Sequence, residues 1–234
     1  MVLTHIFGPV DSWPDQDLIG FSEKFDAEFA LAGYYSGVFP MPLHESCFSG
    51  EMGWWSPVRR GIVELDDLRV TRSLRKSAKH FLTSIDCAFD EVLARCADTS
   101  RPYGWIDEQV RDVYRRLQRA GRVHSVETWD EQHRLVGGLY GVSLGGLFAG
   151  ESMFHDDQLG RDASKVALIR LVEELRVRPD GTALLDVQWL TDHLASVGGS
   201  EISREDYLQR LSVALDAPDT DWPQPEASTR RVHA

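Results

Sequence analysis

In the apolar run Leu184-Leu185-Asp186-Val187-Gln188, an acid and an amide stand two residues apart. Side chains alternate faces along a strand, so Asp186 and Gln188 would leave by one face. There the carboxylate can accept from the Gln188 amide and fix its orientation. A glutamine has no useful basic pKa, so such a pair would orient and polarise a bound group more than act as a general base. The same two residues also read as a buried bridge that holds strands together. A second concentration of chemistry is "GLYGVSLGGLFAGESMF", residues 138–154. Ser143 lies in G-V-S-L-G, the spacing of a serine-hydrolase nucleophile elbow, and Asp186 and His193 follow in hydrolase order. An elbow needs a strand, one sharp turn and then a helix, whereas Ser143 is followed by a strand-like, glycine-rich stretch. Serine hydrolysis therefore stays as an alternative. Glu151, set among Gly, Ser, Met and Phe, suggests a lined pocket instead. No G-x-G-x-x-G, G-x-x-x-x-G-K or H-E-x-x-H spacing occurs, and no metal or cofactor is expected.

These side chains need elements to hold them. Periodicity predicts a helix over 22–36 with Phe25, Phe29 and Ala32 on one face. A second helix, near 87–97, carries Phe89, Val92, Leu93 and Cys96, with Asp86 as its cap. A third, near 107–120, is capped by Asp107 and ended by Gly121, and its core face is Val110, Val113, Tyr114 and Leu117. "VHSVETW", "RLVGGLYGVSL" and "GLFAGESMF" read as successive strands. "SKVALIRLVEELRV" is an amphipathic helix and "ALLDVQ" the strand behind it, which implies a meander followed by a parallel pair. "DHLASVG" is a short helix or turn, and "SREDYLQRLSVAL" opens on a Ser203-to-Asp206 capping pattern. This is an α+β chain with a small irregular part over 1–65, a larger part over 66–216 and a Pro- and Asp-rich tail over 217–234 expected to be disordered.

The chain of 234 residues carries a formal charge of −12, which argues against nonspecific nucleic-acid binding as its main business. The charge is uneven. Residues 69–80 hold Arg69, Arg72, Arg75, Lys76 and Lys79 without an acid, and Arg111, Arg115, Arg119 and Arg122 can line one helix face. The two segments read as a local basic patch or as two solvated faces. No apolar run approaches the ~18 residues of a membrane span, and no signal peptide is read at the start. Cys47, Cys87 and Cys96 lack disulfide or zinc spacing, which fits a reducing cytoplasm.

The strings "GVFP", "WWSP", "HSVETW", "LVGGLYGVSLG", "GESMF", "LLDVQ" and "HLASVG" occur in that order. As an ordered set they closely resemble the leucyl/phenylalanyl-tRNA–protein transferase family, over about residues 30–211 and densely from 122 to 204. The resemblance implies a C-terminal domain of acetyltransferase-like (GNAT) topology, a mixed sheet with flanking helices. It implies transfer of Leu, Phe or Met from aminoacyl-tRNA to proteins beginning with Arg or Lys, which marks them for degradation. Asp186 and Gln188 match the family's catalytic pair. Leu139, Phe148, Glu151, Met153, Leu171 and Leu185 match its aminoacyl pocket, with Glu151 toward the donor's α-amino group or the adenosine hydroxyls. Trp105 matches a tryptophan that stacks on the terminal adenine, and Tyr114 a nearby aromatic that reads equally as core. Met41 stands where the family has a second stacking tryptophan. Arg72, Arg75, Lys76 and Lys79 match the cluster that meets the tRNA acceptor stem. Phe148 faces opposite to Glu151 and Met153 on a regular strand, so one pocket requires a bulge near Ala149 or Gly150. The runner-up among acyl carriers, acyl-CoA, needs a Q/R-x-x-G-x-G/A loop, and "RLVGGL" fails its last position.

Overall fold

The computed structural model describes residues 6–43, 51–98, 105–178 and 181–233, so Cys47 lies outside the described residues. The N-terminal part comprises β1 (Leu18–Ser22), α1 (Ala27–Ser36), β2 (Phe39–Pro42) and β3 (Met52–Trp55). Its strands form an antiparallel sheet in the order β1-β3-β2. Helix α1 is shorter than the periodicity predicts. Asp26 adopts an extended backbone and accepts from the Phe29 amide, so Phe25 precedes the helix. Gly37, at φ 82°, ends it in the left-handed region.

The remaining elements are β4 (Arg59–Val63), α2 (Arg72–Ala78), β5 (Leu82–Ile85), α3 (Phe89–Cys96), α4 (Glu108–Arg119), β6 (Val123–Trp129), β7 (Leu135–Leu144), β8 (Leu147–His155), α5 (Ala163–Arg176), β9 (Leu184–Gln188), α6 (Asp192–Ser196), β10 (Gly199–Ser203) and α7 (Arg204–Asp216). Seven strands make one sheet, ordered β10-β4-β9-β8-β7-β6-β5. Strands β8 and β9 run parallel, joined through α5, and the other described pairs of this sheet are antiparallel. The fold is thus mixed α+β with two sheets. Strand β4 precedes residue 65 yet pairs on both sides within the large sheet, so the small sheet ends at Trp55, before the expected boundary. No described helix is long and apolar enough to cross a membrane.

Two local expectations are corrected. Asp86 does not cap α3. At φ 55° it turns its carboxylate to the Ser125 amide (2.8 Å) and His124 (2.6 Å), and buried Glu127 faces the amides of Cys87 and Ala88. Nor is the segment 217–233 a loose tail. Trp222 stacks on His124 and donates to Ser143, Ser228 is buried, and Arg230 bridges to Thr83 while pairing with Glu173 and Glu174. A few anchored side chains hold a segment whose composition alone reads as disordered.

Candidate functional site

A cavity of about 480 Å³ opens between the ends of β8 and β9, and Leu139, Phe148, Glu151, Met153, Leu171 and Leu185 all line it. A bulge makes this possible. Tyr140 pairs with Ser152 and Gly141 with Gly150, so Glu151 is the extra residue on β8. The inserted residue resets the alternation, and Phe148 joins Glu151 and Met153 on one wall. Leu168 and Val187 complete the apolar end. The lining is largely carbon, with a few polar groups at one end, as small-molecule sites commonly are.

The polar end is built around Glu151. Tyr34 Oη from α1 lies 2.7 Å from its Oε1, Tyr114 Oη from α4 lies 2.7 Å from its Oε2, and the two hydroxyls are 2.6 Å apart. Burial pushes the Glu151 carboxyl up to about 7, against the hydrogen bonds from Tyr114 and Tyr34 that favour its charge. Burial and the nearby Glu151 likewise push both tyrosine hydroxyls well up.

The Gln188 amide nitrogen donates to Glu151 Oε1 (3.3 Å), not to Asp186 as the strand period suggests. Asp186 Oδ1 instead accepts from the Gln188 backbone amide at 2.9 Å. The reason is local: Gln188 sits at φ 59°, which ends the strand and breaks the two-residue alternation. Gly61 makes room for this turn, since a Cβ there would lie 2.9 Å from the Leu190 amide nitrogen. Asp186 is fully buried and gripped by Arg60 in a two-point pair, Nε to Oδ1 at 2.8 Å and Nη2 to Oδ2 at 2.6 Å. Tyr207 also donates to Asp186 at 2.9 Å. Burial works against the Arg60 charge, but Asp186 outweighs it and holds the guanidinium firmly protonated. Arg60, Tyr34 and Tyr207 were missed in the sequence. Their signal was faint: the second of two arginines that open a short strand, and tyrosines at core positions of helices.

Trp105 and Met41 line the cavity, as does Trp189, which sequence reasoning passed over. Trp189 is fixed by Asp17 (2.9 Å) and packs edge-on to Phe39 and Trp55. Tyr114 is fully buried, so it presents its hydroxyl to Glu151 rather than a ring face to the cavity. Arg72, Arg75, Lys76 and Lys79 stand exposed on and just after α2. Most of the second basic stripe is paired. Arg111 and Arg115 pair with Glu108, Arg115 also with Asp90 and Asp112, and Arg122 with Asp219. Ser143 lies inside β7, accepts from Trp222 Nε1 (3.1 Å), and is followed by the Gly145-Gly146 turn and another strand. Asp186 is committed to Arg60, so no hydrolase elbow or triad is assembled among the described residues.

Residues 62–212, more than half of the chain, match the family model described as leucyl/phenylalanyl-tRNA protein transferase. A leucyl/phenylalanyl-tRNA–protein transferase of Rhizorhabdus wittichii is 47% identical over 197 residues, covering 82% of this chain and 76% of that one. One from Ruegeria sp. is 46% identical over 194 residues, covering 82% and 88%. Among solved structures, L-PGS from Bacillus licheniformis is similar at a TM-score of 0.39 and 11% identity, covering 66% of this chain and 56% of that one, too low to assign a fold by likeness.

Proposed function

The chain belongs to the leucyl/phenylalanyl-tRNA–protein transferase family, and from that premise we propose how its cavity performs the transfer and on what. It is an aminoacyltransferase that takes its donor from aminoacyl-tRNA and gives to a protein. In our reading the donors are Leu, Phe and Met, whose side chains suit an apolar end with a flexible Met153. The acceptors are proteins beginning with Arg or Lys, marked thereby for degradation in the cytoplasm. The seven-stranded sheet would be an acetyltransferase-like catalytic domain, and the three-stranded sheet a smaller N-terminal one.

The observation that carries this reading is the bulge that brings Phe148, Glu151 and Met153 into one cavity ending at Gln188. An aminoacyl ester is already activated, so the transfer balances without a nucleotide or redox group. What remains is to hold the ester beside a neutral amine. A peptide α-amino group has a pKa of about 7.7–8.0, so a fair fraction is neutral near pH 7. With its amide nitrogen on Glu151, Gln188 keeps its carbonyl to accept from the attacking amine. Asp186 acts one step back, fixing the backbone from which Gln188 projects. Trp105 and Trp189 line the cavity and are the aromatic rings on which the terminal adenine would stack, where Met41 brings no ring; such stacking is worth ~1–3 kcal/mol per base.

The test is incubation with charged Leu- or Phe-tRNA and a peptide beginning with Arg, with and without CoA thioesters. Transfer from the tRNA that ignores the thioester is the expected result. Transfer from the thioester alone would sink the reading.

A further inference from the structure

The contacts around Glu151 pose a problem of counting. Its two oxygens and the hydroxyls of Tyr34 and Tyr114 make three oxygen–oxygen contacts of 2.7, 2.7 and 2.6 Å. Each is at O–H···O distance and needs its own hydrogen, because lone pairs facing each other so closely repel. The two hydroxyls supply two hydrogens. A charged carboxylate only accepts, which leaves one contact empty. A neutral carboxyl supplies the third, and the ring then closes head to tail: Glu151 Oε2 to Tyr114, Tyr114 to Tyr34, and Tyr34 to Oε1, which also accepts from Gln188.

From this geometry we infer that Glu151 rests as a neutral acid, its proton held in a ring with Tyr34 and Tyr114, and that it protonates the departing ribose oxygen of the donor. The inference rests on the transferase reading above. The surroundings agree with a neutral group. Tyr140 of β7 lies close with a buried hydroxyl that has no partner among the described residues. From β9 come Gln188, which donates to Oε1, and Asp186, whose charge disfavours a second one. Arg60 of β4 favours the charge, yet two of its nitrogens are bound to Asp186.

The step balances. The acceptor nitrogen forms a bond to the ester carbon, and the carbon–oxygen bond to the ribose breaks with its electron pair. That oxygen takes the Glu151 proton. The nitrogen, cationic after attack, then gives its proton to the new carboxylate and restores the ring. No co-reactant is consumed.

Infrared spectra of the free enzyme test the resting state without any reaction. We expect a protonated-carboxyl band, sensitive to deuterium exchange, that fades with a midpoint near 7 as pH rises and is missing in Glu151→Gln. Tyr34→Phe removes a donor to the charged form and should move that midpoint up. Glu151→Gln keeps the shape but cannot give a proton, so kcat should fall about a hundredfold or more, in the range of lost acid catalysis, with the donor KM changed only a few-fold. Absence of the band in wild-type enzyme at pH 6 overturns the inference, as does wild-type kcat in Glu151→Gln. Either result in an enzyme that still transfers from charged tRNA leaves the transferase reading intact. Failure of that transfer would instead condemn the reading itself.

Discussion

At the scale of single residues, Gln188 and Asp186 do different work although they are two positions apart. Gln188 reaches the cavity, whereas Asp186 is fully buried against Arg60 and Tyr207. Gln188→Ala should therefore lower kcat by roughly ten- to a thousandfold, the cost of losing one polar contact to the reacting groups. Steady-state kinetics should show a donor KM close to wild type, because the apolar wall is intact. Asp186→Ala should act mainly on stability. It strands a buried guanidinium, at a cost of about 3–5 kcal/mol, readable in denaturant unfolding. Replacing both partners, Arg60→Met with Asp186→Leu, should regain most of that stability without regaining activity, because the Gln188 backbone amide stays unheld. A double variant no more stable than Asp186→Ala would show that the pair matters for something other than its charges. Asp186 and Gln188 were legible because both lie within one short strand. Arg60 was not, because its partner is 126 positions away and becomes its neighbour only when β4 inserts beside β9.

At the scale of elements, the strands of the meander and the helix behind them were readable from period alone, and the need for a bulge followed once the family resemblance put Phe148, Glu151 and Met153 in one pocket. Parity demanded it, since Phe148 and Met153 cannot share a wall of an unbroken strand. What parity could not show was that the acid itself is the inserted residue. The bulge is tightly packed at Gly141, where a Cβ would lie 2.4 Å from the Ala149 carbonyl oxygen and 2.4 Å from the Phe148 ring. Gly141→Ala should push β8 and the Phe148 ring together, costing about 1–3 kcal/mol as overpacking does. The same push should change the ratio of kcat/KM for Leu-tRNA against Phe-tRNA. Gly150→Ala is the natural control. Its nearest neighbour would be the Asp186 carbonyl oxygen at 3.6 Å, an ordinary contact, so its melting temperature should stay near wild type. Equal losses in the two variants would mean that the bulge is not the constrained feature. The final segment shows the opposite limit of sequence reading. Composition gave no hint that Trp222 would pack against Phe148, 5.7 Å between ring centroids, behind the cavity wall.

At the scale of the whole molecule, a chain of charge −12 that takes its donor from tRNA must present positive charge locally. The sequence offered two basic segments, and only tertiary pairing separates them. The α4 stripe is largely answered by Glu108, Asp90, Asp112 and Asp219, whereas the cations of α2 take part in none of the described ion pairs. Position favours α2 as well. Ser77 on α2 donates to Asp162 at the start of α5, and the next turn carries Ser164 to the cavity lining. On our proposal, a nucleic-acid strand leaving the cavity on that side would meet the exposed Arg75 and Lys76. Each phosphate contact releases condensed counterions, so affinity for tRNA should fall with salt in proportion to the number of contacts. Reversing both residues, Arg75→Glu with Lys76→Glu, should raise the tRNA Kd about tenfold or more and reduce the salt slope by about two. Arg115→Gln on α4 should leave both nearly unchanged. Transfer from a minimal aminoacyl-adenosine, which has no acceptor stem, should proceed at the wild-type rate in the α2 variant. If that small donor is also lost, the two residues serve the fold or the cavity, and the tRNA must approach by another face.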